Sequence, residues 1–229
     1  TVGYAYTFAL LSVPLIPAIA IAAFGSRWIP NVHAKSESAR GGAFDLLKIE
    51  PLRNTLIASG IISSAWDAYQ FFMPIYGHAQ GLSATAIGTI MSAFAISIIV
   101  VRVFLPFVLR RAGEAQLLTY AMFVAAASFC LFPLFQGAWA LAAVSFLLGV
   151  GCGCGQPLSM TLLYNATPTG RAGEAAGMRI TVNQIGHFVI PLVFGALGSV
   201  AGFAPVFLAN AAFLVAGGYV SQRNHPKSP

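Results

Sequence analysis

Seven long apolar segments constrain what this chain can fold into. They cover residues 2–24, 55–76, 84–109, 117–135, 139–164, 177–200 and 203–220. Each is close to the length of about 20 residues that a helix needs to cross a lipid bilayer. Backbone N–H and C=O groups must be satisfied internally in lipid, and a continuous apolar run does this as a helix. The sequence therefore predicts an all-α polytopic membrane protein with seven transmembrane helices.

The composition agrees with this class. Hydrophobic residues make up 58% of the chain and charged residues only 8%, whereas a soluble domain carries about 25% charged residues. The formal net charge is +6, but a nucleic-acid-binding protein needs a clustered basic stripe. Here the basic residues stand in short groups between apolar segments. We therefore expect the lipid bilayer, and no nucleic acid, as a partner.

Lysine and arginine occur in every second connection between the apolar segments. They lie in residues 25–54, in the turn at Arg110 and Arg111, in the loop at Arg171 and in the tail at 223–229. The connections at 78–83, 136–138 and 201–202 contain neither residue. This alternation is the positive-inside pattern. It predicts that the basic loops and the C-terminus are cytoplasmic, in a bacterial-type inner membrane.

The segment 26–54 divides the chain. It is rich in Ser, Gly and charge, a composition that cannot bury a core, and we interpret it as a cytoplasmic linker. One helix within residues 1–25 precedes it, and six within residues 55–222 follow, before a tail at 223–229. Because the chain begins with threonine inside an apolar run, we expect the first helix to complete an N-terminal bundle in a longer chain.

A single carboxylate lies inside the segment 55–76. It belongs to a set of residues spaced by three or four, which places them on one helical face: Ser59, Ser63, Asp67, Gln70 and Pro74. A carboxylate at this depth costs about 2.5–3.5 kcal/mol on insertion, so it must face water, a partner or a substrate. Asp67 either lines a transport cavity with Tyr69 and Gln70, or it makes a structural ion pair or hydrogen bond.

A second polar row lies in the segment 177–200. Arg179, Asn183, His187 and Pro191 recur every four residues and so share one face. Histidine changes its charge near neutral pH and could relay protons, although an interhelical hydrogen bond is an equally good interpretation. Asp67 is the expected carboxylate partner of this row.

Arg102 is the one basic residue well inside an apolar segment, in this case 84–109. Its side chain could extend to the cytoplasmic interface, or it could form an ion pair with a carboxylate across the bundle.

Four glycines remove the side chains from part of the segment 139–164. They are Gly149, Gly151, Gly153 and Gly155, and their four-residue spacings are typical of closely packed membrane helices. With Pro157 they could also allow the helix to bend.

Motifs for catalysis are not visible. The sequence contains no GxSxG, no HExxH and no phosphate-binding loop, and its three cysteines form no CxxC pair of the kind that binds zinc. We expect no enzyme activity, no metal and no cofactor.

Six helices after a basic loop resemble the C-terminal half of a Major Facilitator Superfamily transporter, with three local patterns in support. The turn with Pro106, Arg110, Arg111 and Gly113 is similar to the family's GxxxDRxGRR signature, matching it at Arg111 and Gly113. The run NATPTGRAGEAAGMRITVNQIG resembles the family's loop and helix at this place. A third pattern is similar to the glycine-rich helix of antiporter members and consists of Gly177, Gly186, Pro191 and Gly195.

The resemblance implies a secondary active transporter that works by alternating access. We expect proton-coupled efflux of a small organic solute, with the segment 177–200 as a gating helix. Uptake of a sugar or organic acid by symport is the alternative, and a membrane structural or assembly subunit is a second hypothesis. The residues expected to line the pathway are Asp67, Tyr69, Gln70, Asn183, His187 and Arg102. Packing and gating are expected of Gly151, Gly155, Gly177, Gly186, Pro191 and Gly195.

Overall fold

The computed structural model describes residues 43–223, together with isolated positions between 12 and 24. All regular structure in residues 43–223 is helical. After a short 3-10 helix, Ala43–Lys48, come six α-helices: α1 (Glu50–Ala79), α2 (Ala84–Leu109), α3 (Glu114–Leu131), α4 (Ala138–Ala166), α5 (Ala172–Ala201) and α6 (Phe203–Arg223). Most of the helix predicted for residues 2–24 lies outside the described residues.

Five of these helices, α2 to α6, are long and apolar enough to cross a membrane. The remaining helix, α1, is equally long but less apolar, because serines and Asp67 occupy part of its surface. The structure therefore supports the predicted all-helical membrane class with six helices and five candidate spans in the described residues.

The start of α1 differs from the prediction, because the helix begins at Glu50 and not at residue 55. Pro51 stands in its first turn, where a missing backbone N–H breaks no helical hydrogen bond. Before it, Leu46 of the 3-10 helix is fully buried in a cluster with Leu52 and Leu163. The last residues of the expected linker thus pack against the bundle, although their composition predicts an unpacked segment.

Helix α4 occupies the middle of the bundle and contacts α1, α2 and α3. A Cβ atom added at Gly151 would lie 2.6 Å from the carbonyl oxygen of Ala121 in α3, and one added at Gly153 would lie 3.1 Å from Cα of Ile98 in α2. A Cβ at Gly155 would collide with the side chain of Ile62 in α1. The glycines of α4 therefore let three helices approach its backbone.

An aromatic cluster fills the core near the non-basic ends of the helices. The ring of Tyr69 stacks on Phe94 at a centroid distance of 4.3 Å, and its hydroxyl donates to the carbonyl of Ile90 at 3.4 Å. The hydroxyl of Tyr76 donates to the carbonyl of Phe132 at 3.2 Å and lies 3.3 Å from that of Phe135. These carbonyls belong to the start and the cap of a short 3-10 helix, Phe132–Leu134, that follows α3.

Helix α5 is the least packed of the six. Ala175 is the one residue of α5 that is buried within the described part of the chain, and the main neighbour of this helix is α1. A Cβ added at Gly177 or Gly195 would meet nothing within 4 Å, and one at Gly186 would meet only Ile190 of the same helix, at 3.7 Å. Most of the surface of α5 is thus available for contacts beyond the described bundle.

Candidate functional site

Two rows of polar residues face each other where α5 packs along α1. Ser59 of α1 contacts Arg179 of α5, and Asp67 of α1 contacts His187 of α5. Ser59 precedes Asp67 in α1 by the same number of residues as Arg179 precedes His187 in α5. The two helices therefore run parallel and in register. We call this the polar interface, formed by Ser59, Ser63 and Asp67 of α1 and by Arg179, Asn183 and His187 of α5.

The contact nearest the middle of the two helices joins a carboxylate to an imidazole, and we call it the Asp67–His187 ion pair. Nδ1 of His187 lies 2.7 Å from Oδ1 of Asp67. The Asp67 side chain is only 8% exposed, whereas that of His187 is 49% exposed. The expected pairing of Asp67 with the polar row is therefore present. The imidazole of His187 is accessible to a molecule beside the interface, whereas the carboxylate of Asp67 is shielded.

Unpaired polar atoms concentrate beside this ion pair. Oδ2 of Asp67, Oγ of Ser63 and Oδ1 of Asn183 are buried and have no hydrogen-bond partner among the described residues. A buried polar atom without a partner costs about 1–3 kcal/mol. Because Ser63 and Asn183 occupy corresponding positions one turn before Asp67 and His187, the unsatisfied atoms belong to one short stretch of the interface. This stretch has hydrogen-bonding capacity for a water, a proton carrier or a solute group.

Arg179 joins three helices at the other end of the polar interface. Its Nε donates to Oγ of Ser59 at 2.8 Å. Its Nη2 donates to Oγ of Ser159 at 3.1 Å and to the carbonyl of Gln156 at 3.4 Å. The apolar segment 177–200 predicts a helix that starts just before Arg179, but α5 begins at Ala172. Arg179 therefore lies about 10 Å inside the helix.

Arg102 of α2 makes no ion pair or hydrogen bond with the residues that the structure describes. The carboxylate partner that we expected as one alternative is not seen, since Asp67 pairs with His187 instead. Arg102 lines a cavity of about 380 Å³ together with Gln156, Pro157, Met160 and Arg179. Two guanidinium groups from different helices thus line one cavity.

The other expected pathway residues separate into two groups. Gln70 is exposed and lies one turn beyond Asp67 on α1. Tyr69 is fully buried in the aromatic cluster, and a helix turns by about 200° over the two residues between Asp67 and Tyr69. The structure therefore brings Asp67, Asn183 and His187 to one interface and does not bring Tyr69 there.

The residues expected in the basic loops lie at helix ends. Arg110 and Arg111 are exposed at the end of α2, and Gly113 precedes α3. Arg171 precedes α5, where its guanidinium forms an ion pair with Glu174 at 2.5 Å. The hydrogen bond to Glu174 raises the pKa of Arg171.

The two basic turns are also connected by a side-chain hydrogen bond. Nδ2 of Asn165, near the end of α4, donates to Oε2 of Glu114, at the start of α3, at 3.1 Å. This contact supports the topology in which both turns lie on the same side of the membrane.

A six-helix bundle with five candidate spans and a polar interface inside it defines a polytopic α-helical membrane protein. The family model of the Major Facilitator Superfamily matches residues 1–191 and, in a second match, residues 55–228. The chain belongs to the Major Facilitator Superfamily, a family of membrane transporters. A search of curated proteins found no match to the chain.

Proposed function

We propose that the protein is a secondary active transporter that moves a small organic solute by alternating access, with protons as the coupling ion. The observation that carries the proposal is the ion pair between Asp67 and His187, at the middle of two parallel helices. Ionisable residues at this depth of a membrane protein are expensive and typically mark ion or substrate pathways. A carboxylate and an imidazole can both take up and release a proton.

The surroundings of the ion pair suit a site that opens and closes. Helix α5 contributes Arg179, Asn183 and His187, and it packs mainly against α1. A shift of α5 along or away from α1 would separate His187 from Asp67, and it would also break the hydrogen bonds that Arg179 makes to α1 and α4. Protonation of the carboxylate would favour the same separation, because it removes the negative charge that holds the imidazolium. Proton binding and helix movement are therefore coupled in the proposal.

Efflux is the direction that we propose, with uptake as the alternative. The antiporter-like pattern on α5 supports efflux; it consists of Gly177, Gly186, Pro191 and Gly195. None of these three glycines packs against another described helix. Such a surface fits a gating helix that meets the N-terminal bundle of the full transporter. The basic loops support a cytoplasmic C-terminus in a bacterial-type inner membrane.

Solute flux into proteoliposomes that contain the full-length protein tests this proposal. A panel of solutes is measured with and without a pH gradient, for the wild type and for Asp67→Asn. Glu50→Gln is the matched control, because it removes a carboxylate from the exposed first turn of the same helix.

The proposal expects Asp67→Asn to lose the stimulation by the pH gradient while it still exchanges solute across the membrane. Glu50→Gln should behave as the wild type does. Full pH-driven flux in Asp67→Asn would remove this carboxylate from the coupling mechanism.

A further inference from the structure

We infer that the cavity between Arg102 and Arg179 binds the acidic group of the transported solute, which would therefore be an organic anion such as a carboxylate or a phosphomonoester. This inference rests on the proposed transport function and adds a substrate class to it. It concerns a part of the bundle about 12 Å from the Asp67–His187 pair, measured along α5.

The positive charges beside the cavity are not balanced by carboxylates. In residues 43–223, ion pairs join Lys48 to Asp45, Arg171 to Glu174 and His187 to Asp67. Neither Arg102 nor Arg179 has a carboxylate within ion-pair distance in this part of the chain. The acceptors of Arg179 are two serine hydroxyls and one backbone carbonyl, all of them neutral. The charge of Arg179 is partly buried, and such a charge is unfavourable without a counter-ion. An anion in the cavity would supply that counter-ion, and the exposed guanidinium of Arg102 lines the same cavity.

Both arginines beside the cavity have hydrogen-bond donors available. Arg179 uses Nε and Nη2 in its described hydrogen bonds, and its Nη1 has no partner among the described residues. The guanidinium of Arg102 has all of its donors available. Guanidinium groups match carboxylate and phosphate oxygens with paired, charge-assisted hydrogen bonds. The contacts of Arg179 with Ser59 and Ser159 hold its side chain in place, so that little further ordering is needed when an anion binds.

The size and lining of the cavity also fit a small organic anion. The cavity is an open groove with a volume of about 380 Å³, which is enough room for a small organic acid. Pro157 and Met160 supply an apolar wall, against which the carbon skeleton of a small solute can pack. The cavity thus offers a cationic end and an apolar side, which fits an organic acid better than an uncharged sugar.

The head group of an anionic lipid has the same chemistry, so the test must separate the two sources. Purified full-length protein is prepared in detergent with zwitterionic lipid only, or with added phosphatidylglycerol. Its unfolding midpoint is measured with carboxylates and phosphomonoesters of two to ten carbons, each paired with its neutral amide or alcohol. We expect anionic probes to raise the midpoint in zwitterionic lipid and their neutral counterparts to leave it unchanged.

Substitutions then connect the binding to the cavity. Arg102→Gln should weaken the apparent affinity for the anion by about ten-fold or more, the loss expected for one charge-assisted hydrogen bond, and Arg102→Lys should recover part of it. Arg102 makes no hydrogen bond or ion pair with the described residues, so Arg102→Gln should leave the fold intact. Arg179→Gln would remove hydrogen bonds between helices and could unfold the bundle. Arg53→Gln is the control, because it removes one exposed positive charge from the first turns of α1.

The outcomes distinguish this inference from the proposed function. No stabilisation by any soluble anion, stabilisation by phosphatidylglycerol alone, or an unchanged affinity in Arg102→Gln would each overturn the inference. If pH-driven flux of neutral solutes is found together with any of these results, the transport function stands and the anion site does not. If anions bind through Arg102 but no solute is transported, the anion site stands and the transport function fails.

Discussion

Substitution of glycine by alanine should change the stability of the protein differently in α4 and in α5. At Gly151, an added Cβ would lie 2.6 Å from the carbonyl oxygen of Ala121 and 3.0 Å from the backbone nitrogen of Ala125. These are backbone atoms of α3, which cannot rotate away as a side chain can. At Gly195, an added Cβ would meet nothing within 4 Å. Gly151→Ala must therefore separate two helices, whereas Gly195→Ala disturbs no neighbour in the described bundle.

The magnitude follows from two opposing effects. Alanine is better than glycine in a helix by about 1 kcal/mol, and this gain applies to both positions. Overpacking of a closely packed contact costs about 1–3 kcal/mol, and this cost applies only to Gly151. The helical gain cancels in the comparison, so the free energy of unfolding of Gly151→Ala should be lower than that of Gly195→Ala by about 1–3 kcal/mol.

The assay is unfolding of the full-length protein in one detergent, with the two variants measured side by side against the wild type. Gly195→Ala should be as stable as the wild type or slightly more stable, and Gly151→Ala should be the less stable variant. Equal stabilities of the two variants would refute the reasoning that the glycines of α4 are required for close helix approach.

Three further predictions concern the core, the polar interface and α5. Tyr76→Phe should lower the free energy of unfolding by about 1 kcal/mol, the typical contribution of a hydrogen bond, because the hydroxyl of Tyr76 donates to the carbonyl of Phe132. An unchanged unfolding midpoint would contradict this. In a background without native cysteines, His187→Cys should react with a water-soluble thiol reagent. Ser97→Cys should not react, because position 97 is fully buried. Equal protection of both cysteines would contradict a water-accessible interface. Gly195→Leu should reduce transport without lowering the stability of the bundle, if α5 packs against the other bundle during the cycle; normal transport rates would show that this surface of α5 has no gating role.

The spacing of polar residues predicted the contact between α1 and α5. Residues that recur every four positions in a helix stay on one face, and the rows containing Asp67 and His187 are the two such rows with ionisable groups. An ionisable group in an apolar segment needs a polar partner, so each row could be expected to face the other. The register, with Ser59 beside Arg179, could not be predicted, because it depends on how the two helices pack.

Tyr69 and Arg179 show where sequence reasoning was insufficient. Tyr69 was grouped with Asp67 by its nearness in sequence, although two residues along a helix point to opposite sides. Arg179 was placed at a helix start because hydropathy rises only after residue 177. The structure extends α5 back to Ala172, through a stretch of small residues and helix formers. The cavity shared by Arg102 and Arg179 depends on the packing of α2, α4 and α5, which no spacing within one segment reveals.

Proton movement during transport is the most direct measurement of the central claim, that the Asp67–His187 pair couples protons to solute flux. A pH-sensitive dye inside proteoliposomes would record proton movement when solute is added to the full-length protein. The account predicts a solute-dependent pH change for the wild type and for Glu50→Gln, and none for Asp67→Asn. A pH change of the same size in Asp67→Asn would contradict the account.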